Sequence, residues 1–244
     1  MGKLYHERMD LSMALPLYLA MTASEMSSID TLPTDLAYMA CHFSPCNQGL
    51  SNLPTSLPDG SILILNDNSP CQSHSPGLVA DQLKCSIDTF HCESLLLDFQ
   101  RPPTPETEQM ITAIVSAIST PVVISAGHGS AWKGPVFLPP CPLHIPLAEY
   151  LLPWKDHEIW LEAALCQEEI TVYPHGTTFT PQFPPCNLSG GFTEDTLCCN
   201  YQIQEYDDHI AFTLYDTADS LNRKLSHAQD LGVIRAVGLW QELG

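Results

Sequence analysis

At 244 residues the chain is long enough to bury a full core, and it is close to the roughly 250 residues of an eight-stranded α/β barrel. Nine Lys and Arg stand against 28 Asp and Glu, a net charge of −19 with His neutral, so the surface repels phosphate backbones and anionic lipid, and neither nucleic acid nor membrane is expected as a partner. Ten cysteines include no CxxC pair and several lie in apolar strand-like runs, the pattern of reduced thiols in a cytoplasmic protein rather than of a disulfide framework.

The apolar run over residues 11–21 is too short to span a bilayer, contains Pro16 and follows a mixed-charge segment with Glu7 and Asp10, a poor fit to a secretory signal. Residues 15–21 read instead as the first strand. A polar loop continues through Thr34, and residues 35–43 form a second apolar strand ending in Phe43. Residues 61–67 (Ser-Ile-Leu-Ile-Leu-Asn-Asp) are a third strand, whose terminal Asn66 and Asp67 are candidate pocket residues as well as ordinary turn formers. Apolar positions at Leu78, Val79, Leu83 and Ile87 place a helix over 77–90.

The next stretch runs Cys92-Glu93-Ser94-Leu95-Leu96-Leu97-Asp98-Phe99-Gln100-Arg101-Pro102. Its leucines predict a strand buried on both faces, with Leu96, Asp98 and Gln100 sharing one side. In a parallel barrel, polar groups at a strand's C-terminal end point into the mouth where active sites sit. The stretch resembles the Asp-x-x-Asp-x-Asp-x-Glu signature of glycoside hydrolase family 18, the chitinase-like barrels. Glu93 stands at the first Asp, Leu96 at the second, Asp98 at the third and Gln100 at the Glu. The resemblance implies that residue 100 would protonate the glycosidic oxygen. It also implies that residue 98 would orient the substrate's attacking acetamido group, and that residue 96 would tune residue 98. An amide has no proton of usable acidity and Leu96 has no carboxylate, so the family mechanism is not expected here. The exception to the two-carboxylate scheme that such enzymes represent still needs its acid.

Beyond the prolines at 102, 103 and 105, a helix is expected over 106–118, with Glu106 and Glu108 suited to its positive N-terminal end. Residues 121–126 read as a strand, followed by a Gly127-His128-Gly129 loop. Residues 136–138 form a short strand stopped by Pro139 and Pro140, where the resembled family carries a Met-x-Tyr-Asp stretch that grips the acetamido sugar. A short helix over 147–154 precedes a strand over 158–166. Within that strand Glu162 is a lone carboxylate on an apolar face, which must be paired, hydrated or turned to a pocket. Hairpin-like strands at 170–173, 197–204 and 210–215, with Asp207-Asp208 as a turn, mark an insertion over roughly 168–213. Residues 183–191 are expected to be its mobile loop.

The chain's last part carries Tyr215-Asp216, Ser220 and Lys224, then Gly232-Val233 and Trp240. It resembles the family's Tyr-Asp-x-x-x-Ser-x-x-x-Lys helix start and its Gly-Val-x-x-Trp strand, whose Trp floors the sugar site. Trp240 takes that place, and Phe43 takes that of an aromatic ending the second strand in the cleft. Asp216 or Thr217 would cap such a helix in any fold.

Together these readings predict one (β/α)8 TIM barrel domain over residues 1–244, with a small α+β or β-hairpin insertion between its seventh and eighth strands. No metal or cofactor is expected: Cys41, His42 and Cys46, or Cys141 and His144, lack regular ligand spacing. The first functional reading is a non-catalytic chitinase-like barrel that binds a carbohydrate or a protein at the former active-site mouth. Trp240 and Phe43 would stack on the ligand, while Asp98, Gln100, Arg101 and Glu162 make polar contacts. The alternatives are a glycosidase with a rebuilt pair, Asp98 with Glu162 or Glu242, or a scaffold whose pocket is filled by its own side chains.

Overall fold

The computed structural model describes residues 15–181, 188 and 190–243. The start of the 11–21 run and most of the 183–191 loop lie outside the described residues. The chain runs β1 (Leu17–Met21), α1 (Ala23–Ser28), β2 (Leu36–Phe43), β3 (Leu50–Ser51), β4 (Ile62–Asn66), α2 (Pro76–Phe90), β5 (Ser94–Asp98), α3 (Pro105–Ala117), β6 (Val122–Ser125), β7 (Val136–Leu138), α4 (Leu147–Leu151) and β8 (Ile159–Ala163). Then follow β9 (Gln167–Tyr173), β10 (Gly176–Pro181), β11 (Phe192–Glu194), β12 (Cys199–Glu205), β13 (Ile210–Tyr215), α5 (Ala218–Asp230), β14 (Val233–Leu239) and α6 (Trp240–Leu243).

Strands β1, β2, β4, β5, β6, β7, β8 and β14 pair in parallel around a ring, which closes because β1 bonds both β14 and β2. This is the expected eight-stranded α/β barrel. Its helical coat is thinner than a helix per strand. β2 reaches β4 through the antiparallel strand β3, and β6 reaches β7 through one 3-10 stretch, Ala126–Ala131, at the place where the sequence suggests a glycine loop. The polar stretch that reads as loop up to Thr34 contains α1. There Thr22 and Glu25 satisfy each other's backbone N–H groups in a capping box, a signal present in the sequence. α2 and α3 start on Ser75-Pro76 and Thr104-Pro105, a side-chain cap followed by a proline whose missing N–H costs nothing at that position.

The strands are buried on both faces, as parallel strands under helices must be. Inward, Tyr18, Ile62, Ile64, Leu96, Val123, Phe137 and Trp160 fill the barrel. Outward, Leu63, Leu65, Leu95 and Leu97 pack on Val79 and Leu83 of α2 and Ile114 of α3. Val136, Leu161 and Ala236 pack on Leu151 of α4 and Leu225 of α5. At the N-terminal end of the strands Arg235 lies 5.4 Å from the Tyr18 ring centre and 5.0 Å from that of Trp160, and it pairs with Glu93, which also accepts the Tyr18 hydroxyl. Glu93 therefore closes the barrel floor, at the opposite end from the mouth.

Between β8 and β14 the chain builds a five-stranded antiparallel sheet in the order β10-β9-β13-β12-β11. The turn at Asp207 and Asp208 joins β12 to β13 as expected, whereas β10 and β11 have no counterpart in the sequence reading. Leu214 and Cys199 anchor the sheet on Leu143 in the loop after β7.

Candidate functional site at the barrel mouth

Side-chain alternation carries Asn66, Asp98 and Glu162 to the C-terminal ends of β4, β5 and β8 on the inward side. They line a hollow of about 140 Å³ over Leu96, Ile64, Phe137 and Val237. The hollow adjoins two others. One, of about 740 Å³, shares Met39, Asn66 and Asn68 with it and extends past His42 and Asn52. The other, of about 240 Å³, shares Phe137 and Glu162 and extends past Gln100, Arg101 and Pro139. Three neighbouring hollows thus lie across the mouth, with Glu162 on the wall between two of them.

β5 ends at Asp98, and the backbone that follows is held by Asp67. Its carboxylate accepts the Gln100 N–H at 2.9 Å and the Arg101 N–H at 2.9 Å, and its carbonyl accepts Arg101 Nε at 2.8 Å. Asp67 is a clamp for the loop after β5 rather than a pocket acid. Gln100 stays exposed at the lip and its side-chain amide donates to Asp98 Oδ1 at 2.5 Å, with Ser125 Oγ donating to the same oxygen at 3.3 Å. Burial raises the Asp98 carboxyl above its ordinary range, opposed by those two hydrogen bonds and reinforced by nearby Asp67. Burial likewise pushes Glu162 up to about 7, with the charges of Asp98 and Glu242 adding to it.

Leu96 is wholly buried beneath this hollow. Phe43 does not reach the cleft. It packs against Phe99 and His74 in the layer between strands and helices and is 0 % exposed. The reason is a register irregularity between Tyr38 and Cys41, where three steps along β2 match two along β4. The extra residue turns Cys41 and Phe43 outward and brings His42 to the mouth. Trp240 is half-buried and opens α6, while Val237, Gly238 and Leu239 line the hollow at that strand end instead. Gly238 permits this because a Cβ there would stand 2.6 Å from the Ala163 carbonyl. His42, Met39, Asn68, Ser125 and Phe137 join the site without having been singled out by the sequence as pocket residues. Only Phe137 carried a signal, as the central residue of a three-residue strand between apolar neighbours.

Two of the candidate zinc ligands are otherwise engaged. His144 Nδ1 lies 2.8 Å from Glu168, and Cys141 Sγ donates to backbone carbonyls. Among the described residues no three His, Cys, Asp or Glu side chains are grouped to hold a metal. No helix of the described residues is long and apolar enough to cross a membrane.

No family model matches the chain, and no curated protein sequence matches it. Solved structures do. A GH18 chitinase from Cycas revoluta, a mutant in complex with (GlcNAc)4, is similar with a TM-score of 0.56 at 12% identity over 93% of this chain and 94% of that one. A class V chitinase mutant from Nicotiana tobaccum in complex with NAG4 gives 0.54 at 11% identity over 93% of each chain. The spore cortex-lytic enzyme SleL of Bacillus cereus gives 0.53 at 10% identity, over 94% of this chain and 71% of that one. Identities this low establish a shared barrel, so the chain has the chitinase-like fold.

Proposed function

We propose that this protein binds an extended glycan of amino-sugar units across the barrel mouth without hydrolysing it by the family's mechanism. The observation that carries the reading is Gln100. The amide, at the sequence position that resembles the family's acid, stands at the lip and donates to Asp98, so the interaction is a hydrogen bond with no transferable proton. The row of neighbouring hollows supports a ligand longer than one sugar, since its central part is well below the ~300–1,000 Å³ of a self-sufficient small-molecule pocket. Both plant neighbours hold four sugar units as Glu-to-Gln mutants, so an amide in place of a carboxylate is compatible with a filled cleft in this fold. An open mouth also disfavours the scaffold reading, in which side chains fill it.

One observation favours a rebuilt glycosidase instead: Glu162, held near 7, shares a hollow with Asp98. Incubation with a fluorogenic N-acetylglucosamine oligomer separates the two readings. We expect no turnover above a Gln100→Ala control, together with glycan binding that is lost in Asp98→Ala and kept in Trp240→Ala. Turnover that disappears in Glu162→Gln would replace binding with catalysis.

A further inference from the structure

We infer that the glycan seated here carries a free ammonium between Asp98 and Glu162, where chitin carries an acetamide; the ligand is a de-N-acetylated amino sugar. This rests on the glycan-binding reading above and names its chemistry. An acetamide needs a donor for its carbonyl and an acceptor for its N–H, whereas an ammonium offers three N–H groups and accepts nothing.

The central hollow is built for the second. Glu162 accepts no hydrogen bond and meets no cation among the described residues. Asp98 uses one oxygen, Oδ1, for Gln100 and Ser125, leaving Oδ2 to a ligand. Donors nearby already turn N–H groups toward backbone carbonyls. The Asn66 amide nitrogen donates to the Met39 carbonyl at 3.0 Å, and Arg101 donates through Nε and Nη2 to the Asp67 and Asn68 carbonyls. The uncommitted Asn68 amide lies at the exposed rim. Pro139 stands in the adjoining hollow and has no N–H to offer.

Charge gives the same answer independently. Glu162 from β8 feels the charges of Asp98 from β5 and Glu242 from α6, with no Lys or Arg paired to any of the three among the described residues. Two partly buried carboxyls in an apolar wall lack a counter-charge, and an ammonium supplies it through charge-assisted hydrogen bonds.

The test is calorimetric titration of the whole chain at neutral pH with glucosamine tetramer and, separately, with (GlcNAc)4. The glucosamine tetramer is expected to bind at least about tenfold more tightly, the difference that one additional charge-assisted hydrogen bond makes. Glu162→Gln should erase that preference by lowering the affinity for glucosamine tetramer at least about tenfold. The same variant's unfolding temperature reports that the barrel is intact. Equal binding, or a preference for the acetylated tetramer, would overturn the ammonium assignment and leave glycan binding standing. A preference that survives both Glu162→Gln and Asp98→Asn would overturn the seat. Binding of neither tetramer would overturn both readings.

Discussion

Glu162 is a carboxyl that β8 delivers into a wall otherwise made of Leu96, Phe137 and Val237. Because its folded value is raised from 4.5 to about 7, the folded chain holds a proton over a range in which the unfolded chain has lost it. Its contribution to stability is therefore complete below the unfolded value and is lost as the pH climbs through about 7, a difference of at most about 3 kcal/mol. Urea unfolding across that interval should show wild type weakening with rising pH and Glu162→Gln holding steadier, with the variant the more stable at pH near 8. Parallel slopes in the two proteins would mean that another group carries the effect. The thiols make a second prediction at this scale. Burial pushes Cys41, Cys141, Cys166 and Cys199 up to about 12, so they are poor nucleophiles, whereas Cys46 and Cys85 are exposed. Peptide mapping after brief alkylation of the native protein should find label on Cys46 and Cys85 well before the other four.

At the scale of elements, the residues that resemble the family's helix start turn out to be a buried fastening. Lys224 of α5 reaches both Asp216 oxygens at 2.8 and 2.9 Å, with side-chain exposures of 7% and 0%. Asp216 also accepts the Cys166 N–H at 3.2 Å and donates its own N–H to the Cys166 carbonyl at 2.8 Å, which ties α5 to the start of the inserted sheet. Lys224→Met strands a buried carboxylate and should cost about 3–5 kcal/mol, with much of the loss recovered by adding Asp216→Asn. Chemical denaturation of the single and double variants measures both. What the sequence could and could not convey divides along similar lines. Apolar runs and prolines place β7 to the residue and β4 to within one at each end, because strands buried on both faces announce themselves locally. Phe43 sits in a different layer from the one its sequence position suggests because a bulge depends on the pairing of β2 with β4, and nothing near Phe43 encodes it. Trp240 misses the hollow because β14 ends one residue earlier, where Gly238 lets the chain press against β8 and turn into α6. The acids at 98 and 162 are visible singly, but their common hollow exists only once the ring has closed.

For the whole molecule the governing fact is the excess of 28 acids over nine Lys and Arg. Of the four Lys or Arg ion pairs among the described residues, Lys84–Asp88 and Arg223–Asp195 lie on the surface and contribute little, while Lys224–Asp216 is dry and Arg235–Glu93 seals the barrel floor. Most of the negative charge therefore repels itself in the folded state, where it is closer together than in the unfolded chain. Salt weakens that repulsion, with screening lengths that fall from about 30 Å at 0.01 M to about 3 Å at 1 M, and it barely reaches the buried pair. The unfolding temperature should accordingly rise as sodium chloride is added over that range. The same screening acts with the opposite sign at the mouth, where it weakens the attraction of an ammonium-bearing glycan to Asp98, Glu162 and Glu242. One salt series thus gives two curves of opposite slope, stability upward and affinity for glucosamine tetramer downward, while affinity for (GlcNAc)4 stays flat. An unfolding temperature that falls with salt would show that the surface pairs outweigh the excess charge. A salt-insensitive affinity for the amine would show that its nitrogen does not sit among the carboxylates.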